Sequence, residues 1–458
     1  MNIVLISTYE LGRQPFGLAS PAAWLRAAGH SVRCADLAVC SLPAQAVRDA
    51  GLVAFYLPMH TATRLAVRAI EKVRQLNPRA HLCCYGLYAP LNEAYLRKLG
   101  VGAVLGGEFE AALASLAAQL CGGTGGDRKE PVISLARLPF LTPDRAGLPA
   151  LERYGRLRID GAEKLAGYTE ATRGCKHLCR HCPVVPVYGG AFRVVQADVV
   201  LEDIRRQIAA GASHITFGDP DFFNGPTHAV RIVQALHGEF PGVSYDVTIK
   251  IEHLLHRRDL LPVLRETGCL FVTSAVESVD DSVLYKLEKG HTSADFYEVA
   301  QALRAAGLTL SPTFLPFTPW ATRQSFCDLL RAVADLDLVE NVAPVQLALR
   351  LLIPSGSRML ELDEIQAVLG EFDEAALLYP WRHHDPAVDK LAADVYRLVD
   401  AEQTAGRSRG EIFASVWQLA HGEAMPPHLL PPIRAAIPQM SEAWYCCAEP
   451  TGEQLNCV

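Results

Sequence analysis

No stretch of this 458-residue chain is apolar for the roughly 20 residues that a spanning helix needs, so helical membrane spans are excluded. Basic charge is not in excess either. Forty-three lysines and arginines face 50 aspartates and glutamates, a formal net charge of -7, which argues against nucleic acid or anionic lipid as a partner. Aromatic residues make up only 8%, too few to suggest a base-stacking platform. No GxxxxGKS/T occurs and no glycine-rich phosphate loop follows the first apolar run, which weighs against ATP or dinucleotide binding. The opening MNIVLISTYE has neither a basic n-region nor a small-residue cleavage site. It reads as a first strand rather than a signal peptide, and the expectation is a cytosolic protein acting on a small molecule.

What is present is core-forming material: half the residues are hydrophobic and a fifth are charged. At about 150 residues per domain, the length suggests about three domains, or a large barrel with additions. Short apolar runs at 3–7, 32–36, 52–57, 81–85 and 103–105 alternate with helical patterns up to residue 122. Strands spaced by helices imply right-handed βαβ units and an open, doubly wound parallel sheet. Leu52-Val53-Ala54-Phe55-Tyr56-Leu57 is apolar throughout, as strands buried on both faces are. Residues 123–167, glycine-rich and then proline-punctuated, read as a linker.

Thirteen cysteines are many for a reducing compartment, where no disulfide framework is expected. Two groups stand out: Cys175, Cys179 and Cys182 in mid-chain, and Cys446, Cys447 and Cys457 at the end. The first group is a CxxxCxxC. A structural zinc site wants four ligands, a set that His177 or His181 can complete. Ferredoxin-type clusters use four cysteines, so three on a [4Fe–4S] cluster leave one iron open to a reactant. Preceded by Thr172-Arg173-Gly174, the motif resembles that of the radical S-adenosylmethionine (SAM) superfamily. The resemblance implies that the three cysteines hold a [4Fe–4S] cluster and that SAM chelates the open iron. An electron from a reductant such as flavodoxin or ferredoxin then cleaves a C–S bond of SAM. The position before the third cysteine is usually aromatic in the family and packs on adenine; here it is His181, whose ring can stack.

The same resemblance implies a partial (β/α)6 TIM-type barrel over residues 168–358. Residues 214–217 form a strand ending in Gly218-Asp219-Pro220-Asp221, and Gly218, Asp219 and Asp221 are SAM candidates, with a plain Asp/Pro turn as the alternative. The strand at 268–278 ends in Glu277-Ser278, which resembles a GxES segment and implies that Glu277 and Ser278 face SAM. A carboxylate at the carboxyl end of a barrel strand is well placed for that. Further strands are expected at 244–251, 308–316 and 345–353. Arg350, on the last, points either into the barrel mouth to bind SAM or a substrate carboxylate, or toward a helix.

Residues 1–122, through Pro15-Phe16-Gly17-Leu18, Gly29-His30-Ser31-Val32 and Gly106-Gly107-Glu108-Phe109-Glu110, resemble the cobalamin-binding-type domain in front of many radical SAM barrels. The DxHxxG motif of part of that family is absent. A scaffold without corrinoid is the preferred expectation, and cobalamin binding the alternative. Residues 359–458 read as helical with a cysteine-rich tail, whose Cys446-Cys447-Ala448-Glu449-Pro450 resembles the CCAEP end of one group of radical SAM proteins. The resemblance implies that Cys447 is chemically used, and Cys446, Cys447 and Cys457 are taken together as acting on the substrate. Such thiols suit a soft atom such as trivalent arsenic. The expected reaction is reductive SAM cleavage with modification of a small molecule, including aminocarboxypropyl transfer to arsenic. The alternatives are a cobalamin-dependent methyltransferase and a non-catalytic metal or metalloid sensor.

Overall fold

A computed structural model describes residues 1–122, 132–429 and 437–442. Cys446, Cys447 and Cys457 lie outside the described residues.

The first domain is built on β1 (Asn2–Ser7), β2 (Ser31–Asp36), β3 (Leu52–Tyr56), β4 (His81–Tyr85), β5 (Ala103–Gly107) and β6 (Ile133–Ser134). They form one sheet in the order β2-β1-β3-β4-β5-β6, with every pair parallel. Parallel pairing needs crossovers, and helices Phe16–Ala27, His60–Leu76 and Glu110–Gly122 supply them. The two-residue period of β1 sends Ile3 and Leu5 into one layer, with Leu18, Leu25 and Leu113. Val4 and Ile6 enter the other, with Leu65 and Ile70. Burying each such side chain stabilises by about 1.5–3 kcal/mol, so both faces of the strand must be apolar.

The second sheet begins inside the stretch read as linker. There β7 (Arg156–Ile159) and β8 (Ala162–Thr169) pair antiparallel across Asp160-Gly161, both at positive φ (48° and 75°), the backbone a two-residue Asp-Gly hairpin requires. β9 (Thr172–Gly174) and β10 (Phe192–Val194) form a separate ribbon around the cysteine loop. The barrel continues through β11 (His214–Phe217), β12 (Ser244–Thr248), β13 (Cys269–Glu277) and β14 (Thr309–Phe314), and β15 (Gln439–Met440) closes on β7. The order is β14-β13-β12-β11-β8-β7-β15, and the run from β8 to β14 is parallel. The sixth barrel position, expected as a strand over 345–353, holds a 3-10 turn at Pro344–Leu347 and an isolated bridge between Phe317 and Arg350. Prolines 316, 319, 344 and 354 remove the N–H donors a longer ladder needs. Helices Pro386–Thr404 and Arg409–His421 bury Val395, Val416 and Trp417 in the barrel's own core, so the C-terminal extension and barrel share one core. Among the described residues, no helix is long and apolar enough to cross a membrane.

Candidate active site

The carboxyl ends of both parallel sheets meet at one cavity of about 350 Å³. Tyr56, Gly86 and Gly107 line it from the first domain; Gly218, Thr248 and Glu277 line it from the barrel. Ligands of open α/β sheets and of barrels bind at these ends, and the volume suits a small-molecule site.

The cysteine loop forms part of the wall. Gly174 opens it at φ +76°, and a Cβ there would lie 2.4 Å from the Tyr188 ring and 2.6 Å from the Ala191 carbonyl, so no other residue fits. Asn224 holds the loop from the next segment: its Nδ2 donates to the Gly174 carbonyl (3.2 Å) and its Oδ1 accepts from the Lys176 amide (3.1 Å). Cys175 and Cys179 are buried, and Cys182 lines the cavity. Burial pushes the Cys175 thiol up to about 11 and Cys182 to about 12. Both stay protonated at neutral pH unless a cation takes the sulfur. Two buried thiols and a half-buried one on a single tight loop, with the cavity at one side, fit a cluster that keeps one iron accessible.

Next to the loop, His181 Nε2 is 3.2 Å and Lys289 Nζ 3.4 Å from Glu277 Oε1. Burial would raise the Glu277 carboxyl, but the Lys289 charge and then the His181 hydrogen bond outweigh it and hold it down at about 2. Glu277 has φ +68°, at an irregularity in the β13–β14 pairing, which turns its side chain into the cavity wall. Burial lowers Lys289, but Glu277 and then Cys179 and Cys182 raise it further, leaving a fixed positive charge beside the thiols.

The other expected site residues have different surroundings. Gly218 lines the cavity; a Cβ there would fall 1.9 Å from Tyr168 Oη. Asp219 is fully buried, accepting from Thr172 Oγ1 (2.5 Å) and the Ala171 amide (2.9 Å), so it anchors the turn before the cysteine loop. Asp221 faces His253 and His177 rather than the cavity. Ser278 Oγ accepts from the Asp280 amide (3.0 Å) and shapes the turn after β13. Arg350 turns toward the C-terminal extension: Nη1 is 2.7 Å from Asp389 Oδ1, Nη2 donates to the Trp381 carbonyl (2.8 Å), and the guanidinium lies 3.7 Å from the Trp381 ring centroid. Gln346 and Leu349, from the same segment, reach the cavity instead.

Residues the sequence reading left without a role join the two domains. Arg173 pairs with Glu110 (2.7 Å), Glu170 (2.8 Å) and Glu108 (3.3 Å), all buried or nearly so. Burial raises Glu108 and Glu170 to about 7 each, with Arg173 opposing it. Glu10, on the cavity wall, is buried with no partner for Oε2. Burial, then the Glu170 and Asp36 carboxylates, raise it well above the usual range.

The fold and the cysteine loop define a radical SAM enzyme with an open α/β domain in front of its barrel. Residues 169–333 match the family model of the radical SAM superfamily. A hopanoid C-3 methylase from Methylococcus capsulatus is 26% identical over 321 residues, 67% of this chain and 62% of the relative. The ribosomal protein uS12 methylthiotransferase RimO of Parabacteroides distasonis is 26% identical over 181 residues, 37% of this chain and 41% of the relative. The chain thus spans between two fifths and about three fifths of these curated relatives. Two solved structures share the fold across both domains. TsrM from Kitasatospora setae, a radical SAM methyltransferase, has a TM-score of 0.62 at 17% identity, covering 79% of this chain and 76% of its own. OxsB, a cobalamin-dependent radical SAM enzyme, has a TM-score of 0.70 at 14% identity, covering 93% and 69%.

Proposed function

We propose that the chain modifies a small organic molecule held in the cleft between its two sheets, and that a corrinoid takes the first-domain side of that cleft, so that the group transferred is a methyl. The observation that carries this reading is one cavity walled by the carboxyl ends of both sheets, with Cys182 on the barrel side and Gly86 and Gly107 on the other. Both glycines have positive φ (108° and 70°), and a Cβ on either would strike a neighbouring carbonyl (Leu57 at 2.9 Å, Ser134 at 2.2 Å), so the first-domain wall is bare backbone there. Among the described residues, His181 is the only histidine in the lining, so no first-domain imidazole is offered to a bound cobalt. The fold relatives support the same choice, since structures of TsrM and OxsB contain cobalamin. This reading departs from the sequence expectation of an empty scaffold.

A [4Fe–4S] cluster on Cys175, Cys179 and Cys182 supplies, when bound, the electron for reductive C–S cleavage of SAM. The chain's residues prepare that site. Lys289 balances the negative charge of the thiolates, Glu277 carries a fixed negative charge for a cationic reactant, and the His181 ring is available for stacking. Glu10 offers an unpartnered carboxyl oxygen on the cavity wall as a hydrogen-bonding group to substrate.

The tail cysteines belong to the same reading. Tyr9 Oη donates to Glu442 (2.7 Å), which lines a smaller pocket sharing Leu11, Arg13, Thr313 and Gln346 with the cavity. Four residues on, a span of at most about 14 Å, stands Cys446. From that root, Cys446, Cys447 and Cys457 are proposed to act on the substrate. The same root favours a second reading, aminocarboxypropyl transfer to a thiol-bound soft atom such as arsenic.

The test is anaerobic reconstitution with iron, sulfide and hydroxocobalamin, then turnover with SAM and dithionite, with products read by mass spectrometry. The expected result is retained corrinoid absorbance with S-adenosylhomocysteine and 5′-deoxyadenosine, the latter lost in Cys175→Ala. 5′-Methylthioadenosine without deoxyadenosine moves the reading to aminocarboxypropyl transfer. Stoichiometric arsenite binding without SAM cleavage moves it to a sensor.

A further inference from the structure

Two imidazoles beside the cysteine loop converge on one carboxylate oxygen. His253 Nδ1 lies 2.7 Å from Asp221 Oδ2, and His177 Nε2 lies 3.4 Å from the same oxygen. All three atoms are buried, and the two histidine contacts to Asp221 are ion pairs whose angles fall short of good hydrogen bonds. The other Asp221 oxygen is used, accepting from the Phe223 amide at 3.1 Å. The Asp221 side chain is fully buried, the two imidazoles are about 15% exposed, and their ring centroids are 4.7 Å apart. The residues come from three segments: the cysteine loop, the turn after β11 and the helix Ile251–His256 after β12. His177 Nδ1 lies 3.4 Å from Glu252 Oε2, which is also 3.5 Å from Lys250 Nζ.

We propose that His177, His253 and Asp221 bind one divalent first-row transition-metal ion, separate from the cluster held by the cysteines. Two imidazoles and a carboxylate are a borderline donor set that such ions prefer and that magnesium and calcium do not. At metal–ligand bonds of about 2.0–2.2 Å, neighbouring ligand atoms stand about 3.0–3.4 Å apart in octahedral or tetrahedral geometry. The two distances to Asp221 Oδ2, 2.7 and 3.4 Å, bracket that range, and loading the ion draws the two imidazole nitrogens around it. The Glu252 carboxylate, 3.4 Å from the far nitrogen of His177, stands where a metal-bound imidazole usually has its outer partner. Cys175 Sγ also lies within 4.8 Å of the His177 and Asp221 ligand atoms, so the ion sits beside the cluster and ties its loop to two barrel strands.

The test uses full-length protein, anaerobically reconstituted with iron and sulfide, desalted, equilibrated with Zn²⁺ and desalted again, with both metals counted by mass spectrometry. The expected result is one zinc per chain in addition to the cluster iron, with zinc retention falling at least tenfold in His253→Gln while cluster iron is kept. His253→Cys, which restores a ligand, retains the ion, and with Co²⁺ in place of zinc it adds a thiolate-to-cobalt charge-transfer band. No zinc beyond the cluster iron in the parent protein overturns the proposal. So does a zinc equivalent that is lost in Cys179→Ser and kept in His253→Gln, which belongs to the cysteines and also removes the radical SAM reading. Cluster iron without the extra zinc leaves that reading intact and defeats this one alone.

Discussion

The guanidinium of Arg173, two residues before the first cluster cysteine, lies 2.7 Å from the carboxylate of Glu110, at the start of the last helix of the other domain. Arg173 also meets Glu108 and Glu170, and the rings of Phe16, Phe109 and Phe140 surround it within 5.5 Å. The loop that carries the cysteines is thereby fastened to the first domain through one buried cation.

Removing that cation leaves carboxylates buried without a counter-charge. Arg173→Met is expected to cost about 3–5 kcal/mol in denaturant unfolding. Arg173→Lys recovers only part of this, because an ammonium cannot reach several carboxylates with a planar fork. A loss below about 1 kcal/mol in the methionine variant would show that the junction does not depend on this pair.

The same network gives the junction a pH dependence of known sign. Glu108 and Glu170 titrate at about 7 in the folded protein, against 4.5 for an ordinary glutamate. A carboxyl whose folded value is raised contributes stability that is full below 4.5 and is lost as pH climbs to about 7. The unfolding free energy should therefore fall by up to about 5 kcal/mol between pH 5 and 8, about half of it from each carboxyl. In Glu108→Gln that decline should shrink, making the variant the more stable protein at pH 8. An unchanged slope in the variant would assign the decline to other groups.

Gly174→Ala is expected to destabilise by about 1–3 kcal/mol, because the added carbon meets the Tyr188 ring and the Ala191 carbonyl at a φ of +76°. Iron and sulfide per chain after reconstitution should fall with it, since the glycine sets the direction of the loop into Cys175. Full cluster loading in this variant would mean that the loop is placed by Asn224 and the cysteines alone.

Arg350→Ala separates a structural arginine from a substrate-binding one. The ion pair with Asp389 is a third exposed, so its loss, with that of the Trp381 stacking, should cost only about 1 kcal/mol. The yield of SAM-derived products should stay within about twofold of the parent. A product yield lowered tenfold at unchanged stability would return Arg350 to the active site.

The first sheet was legible because its signal is local: apolar runs, a turn, a helix, repeated. The Asp160-Gly161 hairpin was equally local and still passed as linker, because polar and charged residues such as Arg156, Arg158, Glu163 and Lys164 hide the strand pattern. The sixth barrel position read as a strand from apolar composition alone, whereas the flanking prolines decided the backbone.

Within the site, the cysteine spacing and the Thr172-Arg173-Gly174 lead-in were determined by the sequence itself, since three ligands and a tight entry turn within eleven residues need no distant partner. What Asp219, Asp221, Ser278 and Arg350 would face was not. Each stands at an element end where a change of a few ångströms in packing exchanges a cavity for a backbone amide, a histidine pair or an indole ring. The partners of Arg173, and the meeting of His177, Asp221 and His253, join segments far apart in the chain. Only the tertiary structure decided these, because direction, burial and charge balance are set by neighbours that chain order does not place together.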